Sequence, residues 1–406
     1  MTIQTHTLPN GLRIIHLPTQ SHVAYCGFAV NAGARDEKLN EYGLAHFVEH
    51  MLFKGTHKRK AWHILNRMEN VGGELNAYTT KESTFIYSIF MEKDFERATE
   101  LITDLIIHSQ FPENELKKEC EVILDEIQSY EDSPSELIFD DFENLLFDGH
   151  PLGHHILGDK RSLKSFRSTS GQAFLQRYYT TENMVFFSMS RTDFKQVVRL
   201  AEKYMMDISS QSYPNERFRP THIGTQQAEK RKKTSLAHVI IGGQAYNMHN
   251  SNRYPLFLLN NILGGPGMNS RLNVSLREKH GLVYNVESNV TSYTDTGVFS
   301  VYFGTDPKNR EQAISLVEKE LMVLCKNKLS DTQLTAAKKQ AIGQLGVASD
   351  NKESLFLGLG KSFLHYNRYE MLPEIFLKIE KITAEQVLET ANEILHPEKL
   401  FRLIYS

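Results

Sequence analysis

The chain has 406 residues, which is long for one hydrophobic core and favours two domains or two fused halves. Its 46 basic and 49 acidic side chains leave a formal charge of -3, so there is no electrostatic case for binding nucleic acid or an anionic membrane. The N-terminus lacks a secretory pattern, and no apolar run is long enough for a membrane span. Three scattered cysteines fit a reducing compartment. We therefore expect a soluble, cytoplasmic protein.

The first predicted elements are two β-strands, over residues 12–17 and 23–30, where β-branched and apolar residues cluster. A helix is predicted next, because apolar residues recur at helical spacing over 44–52. Asn40 is placed to cap the start of this helix, and Gly55 is placed to end it.

This first predicted helix contains His46, Glu49 and His50 in an H-x-x-E-H arrangement. Residues four apart share a helix face, so the two imidazoles point at one position and Glu49 leans toward it without having to be a ligand. Two imidazoles and a carboxylate suit zinc. The arrangement is the inverted zincin motif, in which the glutamate acts as general base on metal-bound water. The alternative is a buried helix whose histidines have ordinary hydrogen-bond partners.

Further along, a helix is predicted over 60–71, strands over 74–80 and 83–91, and a helix from Asp94 to about His108. The next predicted helix begins at Pro112, and a carboxylate on it is the candidate third ligand. One stripe of this helix holds Leu116, Glu119, Ile123, Glu126 and Tyr130.

Two carboxylates, Glu119 and Glu126, therefore lie on a stripe that is otherwise apolar. Acidic side chains are rarely buried without a partner or a metal, so one of the two is expected to be the third ligand. The other would then orient a ligating imidazole or tune the site. In the alternative, both point along the rim of the helix into water.

Three segments, 47–56, 72–79 and 119–127, together with the H-x-x-E-H motif resemble the pitrilysin and insulysin superfamily of zinc metallopeptidases. The likeness extends over nearly the whole chain and is strongest to the mitochondrial processing peptidase-like branch. This resemblance implies a fold of the α+β class with two structurally similar halves. Each half would be a mostly antiparallel sheet covered by helices, and the two halves would face each other across a cavity.

In this family the ligands are the two motif histidines and a glutamate about 76 residues beyond the second histidine, a spacing that Glu126 matches. The resemblance therefore implies that His46, His50 and Glu126 hold one Zn2+ per chain. A further family glutamate lies seven residues before the ligand, which corresponds to Glu119. The resemblance places Glu119 behind the ligands. Helical spacing alone does not decide which of Glu119 and Glu126 binds the metal.

A polar, charge-rich stretch over 209–234 is predicted to be a linker. It separates a catalytic, zinc-binding half, 1–208, from a second half, 235–406, that repeats the first in outline. In the second half strands are predicted over 238–244, 282–289 and 297–303, and helices over 254–263, 308–325 and 331–348.

The second half lacks the metal ligands. When the two halves are superposed in sequence, Phe257, Asn260 and Asn261 stand at the positions of the zinc motif. Ala337 and Gln344 stand at the positions of the two helix carboxylates. This is the pattern of a duplicated fold with one active half, and the resembled family is built in this way.

A contribution to catalysis from the second half is implied by the resemblance. The family has an arginine and a tyrosine seven residues apart that contact the substrate and the transition-state oxyanion, and Arg277 and Tyr284 match this spacing. A fixed cation and a phenol near a developing oxyanion act electrostatically where water is excluded. The alternative is an ordinary surface arginine and a core tyrosine.

Substrate contacts are predicted at two further places. Asn76, Ala77 and Tyr78 resemble the family's edge strand, which pairs with an extended substrate, although an ordinary hairpin strand has the same pattern. Glu136 and Asp140 stand 10 and 14 positions beyond the glutamate ligand, where processing peptidases have acidic residues that receive an arginine near the cleaved bond. The alternative for this pair is a solvated acidic face.

Histidines also cluster at His150, His154 and His155, but Pro151 and Gly153 prevent the helical spacing that would converge them on a metal. We therefore predict a loop at this position. A second metal site is not expected there.

Together these patterns predict a zinc endopeptidase that cleaves peptides or unfolded polypeptide segments. The three ligands leave one zinc position for water, and Glu49 takes the proton of that water and can return it to the leaving amine. Family members of this length form a chamber from two chains, so the resemblance also implies a homodimer. The alternative is a non-catalytic structural or partner subunit of a processing-peptidase-like complex.

Overall fold

The computed structural model describes residues 2–211, 217–221, 223 and 227–406 of the chain. Part of the predicted linker, 209–234, therefore lies outside the described residues. None of the helices in the described ranges combines the length and the apolar composition that crossing a bilayer requires.

The first part of the chain contains strands β1 (Gln4–Thr7), β2 (Arg13–Pro18), β3 (Val23–Val30), β4 (Glu74–Thr79), β5 (Thr84–Met91) and β6 (Met184–Ser190). Its helices are α1 (Leu44–Leu52), α2 (Ala61–Glu69), α3 (Phe95–His108), α4 (Glu113–Glu131), α5 (Pro134–Leu146), α6 (Lys160–Ser165), α7 (Ser168–Tyr178) and α8 (Phe194–Met205).

The second part contains strands β7 (Ala228–Lys230), β8 (Ala237–Ala245), β9 (Val283–Ser292), β10 (Gly297–Thr305) and β11 (Phe401–Tyr405). Its α-helices are α9 (Arg253–Gly264), α10 (Arg310–Lys326), α11 (Asp331–Ala348), α12 (Lys352–Tyr366), α13 (Leu372–Glu380) and α14 (Ala384–Ile394). The run that contains Arg277 forms a π-helix over Asn273–Lys279.

The strands form two sheets of closely similar topology. The first has the order β1-β2-β6-β3-β5-β4, and its neighbours are antiparallel except for β2 and β6. The second has the order β7-β11-β8-β10-β9, and its neighbours are antiparallel except for β7 and β11. Apart from β1, the two sheets match strand for strand. The predicted α+β fold with two similar halves is therefore confirmed.

By their internal contacts the residues form two compact units, each discontinuous in sequence. The first unit comprises Met1–Gln128, His154–Arg217 and Asn351–Tyr369, and the second comprises Ser129–Gly153, Phe218–Asp350 and Glu370–Ser406. The first unit thus includes α12 from the second part of the chain, and the second unit includes α5 from the first part. The predicted halves are contiguous and do not contain this exchange of helices.

In the first unit, helices cover both faces of the sheet. Every residue of β6 is buried, and because successive side chains point to opposite faces, Phe186 and Phe187 enter different cores. Phe186 packs in the core that includes α1, α3 and α8. Phe187 packs against α12, where its ring stacks on Phe356 with centroids 4.3 Å apart. A continuous apolar strand is what burial on two faces requires.

In the second unit, β8 is buried in the same manner. Val239 and Ile241 pack in a core with α9, α10 and α14, whereas Ile240 packs in a second core with α5. Phe142 of α5 stacks on Phe401 of β11 with centroids 4.5 Å apart. The exchanged helices therefore occupy equivalent places, each on the second face of a sheet.

The predicted strands and helices up to residue 348 are present with ends shifted by a few residues. No element is predicted from the sequence for β1, for α6, α7, β6, α8 and β7, or for the four elements after residue 348, which are α12, α13, α14 and β11. Two of these matter most for the fold, because β6 lies between β2 and β3 in the first sheet and α12 covers one face of that sheet.

A glycine pair on α12 tests this packing. A Cβ atom added at Gly360 would lie 2.7 to 2.8 Å from the buried ring of Phe187, whereas one added at Gly358 would meet nothing within 4 Å. We expect Gly360→Ala to destabilise the protein by about 1 to 3 kcal/mol through overpacking. Gly358→Ala should stabilise it by about 0.5 to 1 kcal/mol because alanine favours the helix. Urea unfolding measures both, and equal effects would contradict the assigned packing of α12.

Candidate metal centre

The helix that carries the H-x-x-E-H motif, α1, spans nine residues. Its apolar side chains are buried in the core that it shares with α3 and α8. The prediction that Asn40 caps this helix is wrong. The N-cap is Gly43, whose φ of 91° lies in the left-handed region that favours glycine. A Cβ atom at this position would also lie 2.6 Å from the carbonyl oxygen of Leu157.

The carboxylate of Glu37 replaces a conventional capping side chain at the start of α1. Its Oε2 accepts a hydrogen bond of 2.8 Å from the backbone N–H of Gly43, and its Oε1 accepts one of 2.7 Å from that of Ala45. Burial raises the pKa of Glu37 well above its usual value, while the two amides act in the opposite direction. A buried anion thus satisfies two of the unpaired N–H groups of the first helical turn, directly before His46.

His154 provides a partner for this buried carboxylate. Its Nε2 lies 2.9 Å from Glu37 Oε2, and its ring stacks on Tyr42 with centroids 3.9 Å apart. The segment around His154 is a loop, as predicted, but the contact with Glu37 was not foreseen. The loop therefore helps to hold the N-terminus of α1.

The three predicted ligands converge. Each of His46, His50 and Glu126 offers one atom to a cluster in which all the atoms lie within 4.8 Å of one another. Glu126 Oε2 is 3.7 Å from His46 Nε2 and 3.5 Å from His50 Nε2. Within the part of the chain that the structure describes, no other three His, Cys, Asp or Glu side chains come together in a way that could hold a metal ion.

These separations fit a zinc ion. Two ligand atoms that are each about 2.1 Å from one tetrahedral ion lie about 3.4 Å apart. In addition, Glu49 Oε2 and Glu126 Oε2 are buried, and neither makes a hydrogen bond among the described residues. Buried polar atoms normally have hydrogen-bond partners. A metal ion would supply the missing partner here, and the side chains present are ones that bind zinc.

The protonation states favour ligation by His46. Burial, together with the nearby His50, lowers its pKa to about 4, so the imidazole is neutral at pH 7 and its nitrogen can bind a metal. The contact with His50 lowers the pKa of Glu126, which keeps this carboxylate ionised. Burial alone would lower the pKa of His50, but the carboxylates of Glu126 and Glu119 outweigh it and raise this pKa.

Glu49 lies on the same helix, between the two histidines in sequence. Its carboxyl group is largely buried, which raises its pKa, while neighbouring Thr79 and His50 lower it. Thr79 ends β4, the edge strand of the first sheet. The Glu49 carboxylate therefore lies beside that edge, and a raised pKa suits a group that accepts and returns a proton near neutral pH.

Glu119 lies behind the cluster. Its Oε2 is 3.1 Å from His50 Nδ1, the ring nitrogen directed away from Glu126, and its Oε1 is 2.7 Å from Lys54 Nζ. Histidines that bind metals commonly donate their other N–H group to a carboxylate in this way. The structure thus separates the two carboxylates of α4: Glu126 faces both imidazoles, and Glu119 faces one.

The other predicted residues occupy defined positions. Asn76, Ala77 and Tyr78 lie on β4, which pairs with β5 in the described structure. Ala77 packs toward the core that contains α1, and Tyr78 packs toward the core that contains α12, where it stacks on Phe85 with centroids 4.8 Å apart. The other edge of β4 leaves backbone groups that an added strand can pair with.

Arg277 and Tyr284 belong to the second compact unit and contact each other. The Arg277 guanidinium carbon lies 5.9 Å from the centroid of the Tyr284 ring. Tyr284 is 90% exposed, so the alternative that it is a core tyrosine is wrong. Such exposure of a large aromatic side chain beside a cation leaves both available to a ligand.

Glu136 and Asp140 lie one turn apart on α5 in the second unit, as their spacing predicts. Asp140 Oδ2 accepts a hydrogen bond of 2.5 Å from the hydroxyl of Tyr130. The Asp140 carboxylate is thus fixed by a protein donor, whereas Glu136 is exposed.

The second unit contains a cavity near the positions that correspond to the zinc motif. It has a volume of about 360 Å³, and its lining includes Asn260, Asn261, Ser270 and Arg277. The amide of Asn260 donates a hydrogen bond of 3.0 Å to the carbonyl oxygen of Ser288 on β9. The lining also includes Phe257, so a phenyl ring and two amides stand here at the positions that the sequence aligns with the zinc motif.

Two family models match different parts of the chain. Residues 13–160 match a family model described as Insulinase (Peptidase family M16), and residues 169–341 match a model described as Peptidase M16 inactive domain. The chain is 31% identical over 404 residues to YmxG, an uncharacterized zinc protease of Bacillus subtilis (strain 168), covering 99% of this chain and 98% of that protein. It is 32% identical over 390 residues to an uncharacterized zinc protease of Rickettsia bellii, covering 95% and 93%.

Solved structures share the fold. The chain superposes with a TM-score of 0.93 on a crystal structure described as a peptidase M16 inactive domain from Pseudomonas fluorescens, at 20% identity and covering 100% of this chain and 98% of that one. It superposes with a TM-score of 0.89 on a protease from Helicobacter pylori, at 20% identity and covering 100% and 99%. The fold and the sequence matches define a peptidase-like protein built from two similar halves. The chain belongs to peptidase family M16.

Proposed function

We propose that the chain is a zinc-dependent endopeptidase that cleaves peptides or unfolded polypeptide segments. The proposal rests on one observation: two imidazoles and a carboxylate converge within 4.8 Å beside the buried carboxylate of Glu49. The names of the relatives, which are zinc proteases without a characterized activity, support the same class.

His46, His50 and Glu126 would hold the zinc ion. When bound, zinc acts as a Lewis acid that polarises a carbonyl group and lowers the pKa of water. Glu49 takes a proton from the water molecule as the water oxygen attacks the scissile carbonyl carbon. Glu49 then delivers this proton to the amine nitrogen as the C–N bond breaks, so the reaction consumes one water and regenerates the carboxylate.

Substrate would bind as an added strand on β4, in contact with Asn76, Ala77 and Tyr78. The support is that β4 is an edge strand whose last residue, Thr79, lies beside Glu49. A strand that follows this edge would pass the proposed base. Arg277 and Tyr284 are proposed to stabilise the oxyanion, and their support is their mutual contact and the exposure of the tyrosine.

A second candidate function is a non-catalytic structural or partner subunit. The observation that favours it is the match of residues 169–341 to a family model described as inactive. That match begins after the segment that carries the ligands, which lie within 13–160 and thus within the match to the peptidase model. A purified chain that binds zinc but cleaves none of a broad set of unstructured peptides would favour this second function.

The first test separates the base from the ligands. Glu49→Gln should lower peptide turnover by about 10²- to 10⁴-fold while about one zinc per chain is retained, because Glu49 is not a ligand. Glu126→Gln should instead weaken zinc retention. Metal analysis and peptide cleavage measure both, and Glu121→Gln on the exposed side of the same helix is the matched control. Wild-type turnover by Glu49→Gln would refute the mechanism.

Specificity is the second test. We propose that Glu136 and Asp140 bind an arginine just before the scissile bond, since two carboxylates one turn apart can share a guanidinium through charge-assisted hydrogen bonds. Peptides with arginine there should show a higher kcat/KM than alanine versions. The difference should shrink in Glu136→Gln/Asp140→Asn. The neighbouring pair Glu131→Gln/Asp132→Asn removes the same charge and should keep the preference. Equal kcat/KM for both peptides with the wild-type enzyme would exclude the idea.

Assembly is the third test. We propose a homodimer, because the chain carries both the zinc motif and the Arg277/Tyr284 pair. Light scattering of the purified chain should give twice the chain mass of 46.6 kDa together with peptidase activity. Activity in a monomer, or activity that depends on adding a different polypeptide, would contradict this assembly.

A further inference from the structure

The surroundings of Glu119 contain a residue that the proposed mechanism leaves unused. Lys54 follows α1, and its Nζ lies 2.7 Å from Glu119 Oε1, while Glu119 Oε2 lies 3.1 Å from His50 Nδ1. The Glu119 side chain is 9% exposed, and that of Lys54 is 25% exposed. A nearly buried carboxylate therefore has one oxygen on a cation and the other on a proposed ligand.

The sequence spacing brings these two groups to the same carboxylate. Lys54 and His50 are four residues apart, and the backbone N–H of Lys54 donates a hydrogen bond of 3.1 Å to the carbonyl oxygen of Met51. The turn after α1 thus continues far enough to place the ammonium group on the same side as His50. Glu119 comes from a different helix, α4, so the contact also ties the end of α1 to α4.

We propose that Lys54 is a positioning residue for the metal centre, an inference that rests on the proposed zinc site. Its ammonium group fixes one oxygen of Glu119, so that the other oxygen accepts the Nδ1–H of His50 and Nε2 faces the metal. With one oxygen unheld, the carboxylate can rotate about its last torsion, which is broad, and the imidazole loses its fixed tautomer and orientation. Lys54 itself contacts neither metal nor substrate in this scheme.

Zinc affinity, measured by competition with a chromogenic chelator, tests the inference without relying on activity. Carboxylate partners of metal-binding histidines change affinity by about 10- to 100-fold, and Lys54 acts one contact further out, so Lys54→Met should weaken binding by roughly tenfold. Lys54→Arg should stay close to wild type, because a guanidinium also donates to a carboxylate. Lys118→Met, which removes a 68% exposed lysine paired with Glu115 on α4, is the matched control and should change nothing.

A double-mutant cycle identifies the path of the effect. If Lys54 acts through Glu119, then Lys54→Met should cause no further loss of zinc affinity in the Glu119→Gln background. Full additivity of the two losses would overturn the inference. A Lys54→Met protein with wild-type zinc affinity would overturn it too, even if its metal-free form melts at a lower temperature, because that result defines a purely structural salt bridge.

The wild-type measurement separates this inference from the proposed function. A wild-type chain that binds no zinc would overturn both. A wild-type chain that binds zinc tightly, with Lys54→Met equal to it, would overturn the role of Lys54 alone.

Discussion

Burial of carboxylates around one short helix is the constraint on which the metal centre depends. An ionised carboxylate that leaves water costs several kcal/mol unless a partner offsets the loss. Around α1 the partners differ. Glu37 has two backbone amides and His154, and Glu119 has Lys54 and His50. Glu126 faces two imidazoles at distances longer than hydrogen bonds. Of these three carboxylates, the one whose partners lie at the longest distances is therefore the one at the convergence point.

The two well-paired carboxylates fix α1 at opposite ends. Glu37 holds the first turn, one residue before His46, and Glu119 with Lys54 holds the end of the helix at His50. A helix of nine residues has little stability of its own, so its orientation depends on such tertiary contacts. The consequence for the site is that the backbone directly before His46 and the imidazole of His50 are held by groups that lie outside the ligand set.

The features of the site that could be predicted from the sequence are those that follow from helical periodicity. The spacing of His46 and His50, and the stripe that carries Glu119 and Glu126, follow from 3.6 residues per turn, and the structure has both. Capping rules select the nearest polar side chain, Asn40, but a carboxylate from farther away makes the contacts. These contacts span six and eight residues, which is beyond the spacing that capping rules consider.

Exchange of α5 and α12 between the compact units is a further feature that periodicity cannot supply. An amphipathic pattern shows that one face of a helix is buried but does not identify the sheet that buries it. Gly360 illustrates the point: in sequence it is a weak helix former, whereas in the structure it is the position where α12 approaches the Phe187 ring. The choice between Glu119 and Glu126 likewise required the family resemblance, because both lie on one stripe.

The second half shows what the same architecture requires when it holds no metal ligands. At the position of Glu49 stands Asn260, whose side-chain amide donates to the backbone carbonyl of Ser288 on β9, while the Ser288 hydroxyl donates to the backbone carbonyl of Asn260. The helix is thus joined to its edge strand by neutral hydrogen bonds, and a neutral amide costs less to bury than a carboxylate. In the first half Glu49 lies beside Thr79 of the corresponding edge strand, but one of its oxygens is buried without a hydrogen bond. One side-chain oxygen at this position is thus buried without a hydrogen bond in each half, Asn260 Oδ1 in the second and Glu49 Oε2 in the first, but only the first half retains a carboxylate there. Stability lost by burying a carboxylate is typical of a functional site.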